Sequence, residues 1–192
     1  MAIALETSTN TLLIEEFLAL PETKPASEYI DDQIYQKPMP QGKHSTLQAE
    51  IVMAINQMAK SKKLAYAFPE LRCTFGKRSI VPDISVFEWS NISLDNDREP
   101  LNKISIAPDW IIEILSPAQS PFLIIDKIGF ALKHGTKLSW LIVPKERRIL
   151  TFKGDNFNIC FNICQGVDIL PVLEIFGDWQ ISVQNVFDLL KF

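Results

Sequence analysis

The sequence predicts an α/β protein, an α+β arrangement in which one mixed β-sheet is flanked by helices. Three observations carry this. Residues 110–115, Trp-Ile-Ile-Glu-Ile-Leu, are apolar on both faces of a strand, as in a sheet covered on both sides. A helical pattern at 124–133 separates them from a second apolar run at 138–143, and a helix returning to a neighbouring strand makes a right-handed crossover with parallel pairing. With 192 residues, 47% of them hydrophobic and 22% charged, the chain suits a single core rather than a repeat, a heptad array or a low-complexity segment. We therefore read 1–192 as one domain: an N-terminal extension (1–43), a core (44–153), and a C-terminal strand and helix (154–192).

The elements follow in order. Residues 11–18 read as a short helix with Thr11 as its cap, stopped by Pro21 and Pro25. Residues 28–35 form two short strands about the acidic turn Asp31-Asp32, and Pro38 to Gly42 form a loop. From His44 to Lys60 the residues Leu47, Ile51, Ala54, Ile55 and Met58 keep the helical period. Residues 64–75 and 79–87 read as two strands joined by a hairpin turn at Gly76-Lys77-Arg78. The polar stretch 89–103 is long enough to be a flap over a site. After the 110–115 strand, Ser116-Pro117 stops the element, a helix spans 124–133, and strands at 138–143 and 148–153 turn at 144–147. A strand at 157–164 and an amphipathic helix at 182–190 complete the chain.

Composition narrows the chemistry. The start, Met1 to Glu6, lacks the basic flank of a signal peptide, and no apolar run is long enough for a bilayer, so a cytoplasmic address without a membrane partner is the expectation. Three cysteines, Cys73, Cys160 and Cys164, suit reduced thiols. Zinc at the 160/164 pair would need two further ligands, and the two histidines, His44 and His134, are distant in sequence. The net charge of −4 supplies no overall attraction for a polyanion, so nucleic-acid contacts would have to come from local basic groups at Lys60, Lys62, Lys63, Arg72, Lys77, Arg78, Lys145, Arg147 and Arg148.

Glu113 stands in the middle of the most apolar strand, where an unpaired carboxylate costs several kcal/mol or takes up a proton. Either it pairs with a core Lys or caps a backbone group, or it serves a metal or proton transfer. Asp83, after Pro82, opens what should be a neighbouring strand. It is either a turn residue or, beside Glu113, the second hard oxygen donor of a Mg²⁺ seat. Asp109 reads as a residue at the start of its strand. Lys127, one turn into the next helix, is either a solvated lysine or a cation reaching back to the strand ends.

The ordered set Val81-Pro82-Asp83-Ile84, Pro108 to Pro117, Lys127, Lys133-His134-Gly135 and Trp140 to Pro144 resembles the Uma-two family of predicted endonucleases, which is abundant in cyanobacteria. That family belongs to the PD-(D/E)XK, restriction-endonuclease-like superfamily. The likeness runs from about Ser27 to the C-terminus. It implies a restriction-endonuclease-like core and a nuclease in which Asp83, Glu113 and the backbone carbonyl of Ile114 hold Mg²⁺ or Mn²⁺. The superfamily lysine, expected where Leu115 stands, is moved onto the following helix at Lys127. His44 and Glu28 match further family positions and are accessory residues. Many relatives carry an Asp where this chain has Leu123.

The expected function is thus hydrolysis of DNA phosphodiester bonds, with Lys127 orienting the attacking water. No organic cofactor is needed. A homodimer is expected, because one such centre cuts one strand. An inactive nuclease-fold binding or assembly module is the alternative, favoured by the acidic charge and Leu123, and activity on another phosphoester is a further rival.

Overall fold

The computed structural model describes residues 13–117, 119–155 and 158–192, so Thr11 and the start of the chain lie outside it. Its elements are α1 (Ile14–Ala19), β1 (Ser27–Ile30), β2 (Gln33–Gln36), α2 (Gly42–Ala59), β3 (Ala65–Pro69), β4 (Cys73–Phe75), β5 (Arg78–Ile80), β6 (Ile84–Glu88), β7 (Trp110–Ile114), α3 (Pro121–Lys133), β8 (Leu138–Val143), β9 (Arg148–Asp155), β10 (Asn158–Gln165) and α4 (Val183–Asp188). They form a six-stranded sheet in the order β10-β9-β8-β7-β6-β3 and a four-stranded sheet in the order β2-β1-β5-β4.

The larger sheet is mixed. β7 and β8 run parallel, and the other neighbours are antiparallel. The crossover through α3 is the one expected from the two apolar runs. All five residues of β7 are buried, and alternation decides which core each enters. Trp110, Ile112 and Ile114 pack with α2 and α4, whereas Ile111 joins Ala131 of α3 in a second cluster. α3 begins at Pro121, three residues before its apolar period shows, because proline fits the first helical turn. Cys160 and Cys164 share a face of β10 as expected; Cys164 packs against the α2-side core, Cys160 is exposed, and all three cysteines are free.

The two long strands expected at 64–75 and 79–87 are each broken in two. Pro82 has no N–H to give a ladder, and Glu70 turns the chain at a φ of +46°. The breaks face one another, with the Glu70 amide donating to the Asp83 carbonyl at 3.1 Å. One long hairpin therefore crosses both sheets: β3 and β6 pair in the larger, β4 and β5 in the smaller. At its tip Gly76 and Lys77 both have positive φ, as a two-residue hairpin turn requires, and a Cβ on Gly76 would strike the His134 ring. Because β1 pairs with β5, the β1–β2 hairpin is joined to the core through its sheet. Asp83 sits where the two sheets part.

Candidate active site

The antiparallel register of β6 and β7 pairs Ile84 with Ile112; continued one step, it sets Asp83 beside Glu113 on the α3 side of the sheet. The Ile114 amide donates to Asp83 Oδ2 at 2.7 Å, fixing the carboxylate against the end of β7. Asp83 Oδ1 meets Lys37 Nζ at 2.6 Å and His44 Nε2 at 3.4 Å. The Lys37 ammonium also donates to the Val81 carbonyl at 2.8 Å, and Gln48 donates to the Asp83 carbonyl at 2.8 Å.

From α3, Lys127 Nζ lies 2.9 Å from Glu113 Oε1 and donates to Glu28 Oε1 at 2.9 Å. Glu28 Oε1 in turn accepts from the Val81 amide at 2.7 Å. The ammonium thus bridges the two carboxylates, and its ion pair is the contact that Glu113 Oε1 makes in this buried cluster.

All five sequence-selected side chains, Glu28, His44, Asp83, Glu113 and Lys127, thus belong to one cluster. For Ile114 the contact with Asp83 is made by its N–H. Lys37, Gln48 and Ser116, whose Oγ is 3.5 Å from His44 Nδ1, complete the cluster and were not singled out from sequence. Gln48 had a signal, being four residues after His44 on the same helix face. Lys37, in the loop after β2, had none.

Burial sets the electrostatics. Asp83, Glu113 and Lys127 are 2%, 1% and 2% exposed. Burial pushes the Glu113 carboxyl up, and the nearby Asp83 and Glu28 carboxylates add to this; Lys127 and Lys37 oppose them, and the result is about 7. Burial works on Asp83 in the same direction, but Lys37, His44 and Lys127 outweigh it and hold its carboxyl well below the usual range. Lys127 stays charged, since Glu113, Glu28 and Asp83 more than offset its burial. The cluster thus pairs an Asp whose carboxyl is pulled down with a Glu whose carboxyl is pushed up.

A cleft of about 270 Å³ between the β1–β2 hairpin and the start of α3 opens onto Glu28, Lys37 and Lys127. Leu123, half exposed, lines its rim. The 89–103 segment leaves β6 at the end away from Asp83 and contributes nothing to this cleft. It is pinned instead by Asp109, whose buried carboxylate accepts from Asn91 and the Glu88 amide and pairs with Lys137 at 3.1 Å.

Two of the basic groups expected to face phosphate are engaged elsewhere. Arg78 bridges Asp31 and Asp126 over the Phe130 ring, and Arg72 is held by Glu22.

The donor set suits a hard divalent cation. Asp83 and Glu113 are hard carboxylate oxygen donors on neighbouring strands, and a carboxyl raised to about 7 exchanges its proton for a metal near neutral pH. Among the described residues no three His, Cys, Asp or Glu side chains form a ready cage. Mg²⁺, however, is usually bound through one or two carboxylates and keeps several waters.

A family model, Uma2, described as "Putative restriction endonuclease", matches residues 14–184. The crystal structure of "a putative nuclease belonging to DUF820" from Anabaena variabilis is 46% identical and superposes with a TM-score of 0.89. The match covers 93% of this chain and 99% of that one. No curated protein matches the chain.

Proposed function

The chain belongs to the Uma2 family, described as putative restriction endonucleases, and from that premise we propose that it is a divalent-metal-dependent endonuclease acting on DNA. The observation that carries this reading is the meeting of Asp83 and Glu113, two nearly solvent-free carboxylates on adjacent strands, with the buried ammonium of Lys127 from the next helix. Asp83 and Glu113, with the carbonyl of Ile114, would hold Mg²⁺ or Mn²⁺. Such an ion supplies Lewis-acid polarisation of the scissile phosphate and lowers the pKa of a water.

The chain's own groups do the rest. Lys127 lines the cleft as a compact cation; with Leu115 at the position where the superfamily carries its lysine, Lys127 would orient the attacking water and offset charge developing on phosphorus. Glu28 holds that ammonium in place. His44, between Asp83 and Ser116, lies where it can pass a proton. Among the described residues no helix is long and apolar enough to cross a membrane.

A second reading, a binding module without turnover, is favoured by one observation: Lys37 occupies Asp83 Oδ1, where a metal would coordinate. Supercoiled plasmid incubated with Mg²⁺ or Mn²⁺ tests the choice. Wild type should nick or linearise it, EDTA should stop the reaction, and Lys127→Ala should slow it about a hundredfold or more. Equal cleavage by the variant would remove the lysine's assignment, and no cleavage with either metal would leave the binding module.

A further inference from the structure

β10 is an edge of the six-stranded sheet, and among the described residues no strand pairs with its outer side. Its eight residues include no charged side chain and no proline, although exposed edges are usually guarded by such residues. Alternate positions Ile159, Phe161 and Ile163 are 40%, 59% and 55% exposed. In register Phe161 stands beside Phe152 and Ile163 beside Leu150, which pack with α3, so this row lies on the active-site side of the sheet. Phe122 and Leu123, at the start of α3 on the same side, are largely exposed as well.

We propose that β10 is the homodimer interface: a second copy of this chain pairs its own β10 antiparallel across a two-fold axis through Phe161. The segment is its own complement in this register. Phe161 meets the partner's Phe161, Ile159 meets the partner's Ile163, and no like charges are opposed. Residues paired across antiparallel strands share a face, so the apolar row becomes continuous through the axis.

The arrangement also explains why the occupant is a second copy. A two-fold axis normal to the sheet leaves both clusters on one face of a joined sheet. Each β7 is three strand spacings from its own β10, so with the junction the two β7 strands are seven spacings apart, about 34 Å. One turn of B-DNA is about the same length, a spacing that suits two centres acting on one duplex. This spacing argument rests on the nuclease reading; the pairing itself does not.

Sedimentation equilibrium of the full chain from micromolar to near-millimolar concentration tests the pairing. Wild type should give twice the chain mass, and F161K combined with I163K the mass of one chain with an unchanged far-UV spectrum. F161C in a C160S background should form a covalent dimer on oxidation, because facing Cα atoms of paired strands lie within disulfide range. This keeps the proposal testable if the double lysine variant fails to fold. A wild type of single-chain mass throughout, or a folded double variant that stays dimeric with no cross-link through F161C, would overturn it. A dimer that cuts no DNA would leave the interface standing and remove the nuclease reading, and an active monomer would do the reverse.

Discussion

Replacing Glu113 by Gln should make the metal-free protein more stable at pH 8. Its carboxyl is raised from 4.5 to about 7 by burial and by the Asp83 and Glu28 carboxylates. At 1.36 kcal/mol per pH unit, ionising it in the folded state costs about 3 kcal/mol. Gln keeps the shape and carries no charge. The value of about 7 already includes the attraction of Lys127, which keeps Glu28 at 2.9 Å in the variant, so a rise in Tm of up to about 10 °C is the upper bound for a chain of this size.

The pH dependence has a definite sign. The folded pKa lies above the unfolded one, so the folded wild type holds a proton that the unfolded chain has lost between 4.5 and about 7. Its stability is full below that window, falls as the pH rises through it and is level above. The advantage of the Gln variant should therefore be small near pH 5 and reach its full value by pH 8. Thermal unfolding in EDTA from pH 5 to 8.5 measures this. A variant less stable than wild type at pH 8, by a margin independent of pH, would show Glu113 to be a structural counter-ion of Lys127 and refute the reasoning.

Three more outcomes follow from the same geometry. Because metal displaces one proton from Glu113, the apparent affinity for Mn²⁺ by calorimetry should climb up to about tenfold per pH unit below pH 7 and level off above it. Lys37→Met leaves the buried Asp83 without the ammonium at 2.6 Å and should cost about 3 kcal/mol or more in EDTA, with Mn²⁺ restoring most of the lost Tm; a loss that metal cannot restore would place Lys37 outside the site. Ile112→Ala, fully buried on the face opposite Glu113, should cost about 2 to 5 kcal/mol in urea unfolding without altering the pH profile of metal binding.

What the sequence disclosed, and what it hid, follows from how each residue is held. The β7–α3–β8 unit was legible because a strand covered on both faces leaves an unbroken apolar run, and Glu113 was conspicuous as the charge within it. Asp83 and Lys127 are ordinary in isolation; the ordered family resemblance singled them out. Lys37 could not be found, because a loop lysine between Gln36 and Pro38 has no periodicity to reveal that its ammonium is buried. The two broken strands were written in Pro82, but hydrophobic alternation continues across the break and hid the change of sheet. The roles of Arg72 and Arg78 were hidden for a similar reason, since sequence counts a positive charge without showing the carboxylates that neutralise it. The segment expected to be a flap was judged by length, whereas its attachment through Asp109 decides where it lies.

The central claim is that Asp83 and Glu113 share one divalent cation beside Lys127. Crystals of the wild type grown with Mn²⁺ and measured for anomalous scattering test it most directly. The account predicts one strong peak about 2 Å from a carboxylate oxygen of each residue. Peaks confined to other carboxylates, or a Mn²⁺ held by one of the pair while Lys37 keeps its place on the other, would contradict it.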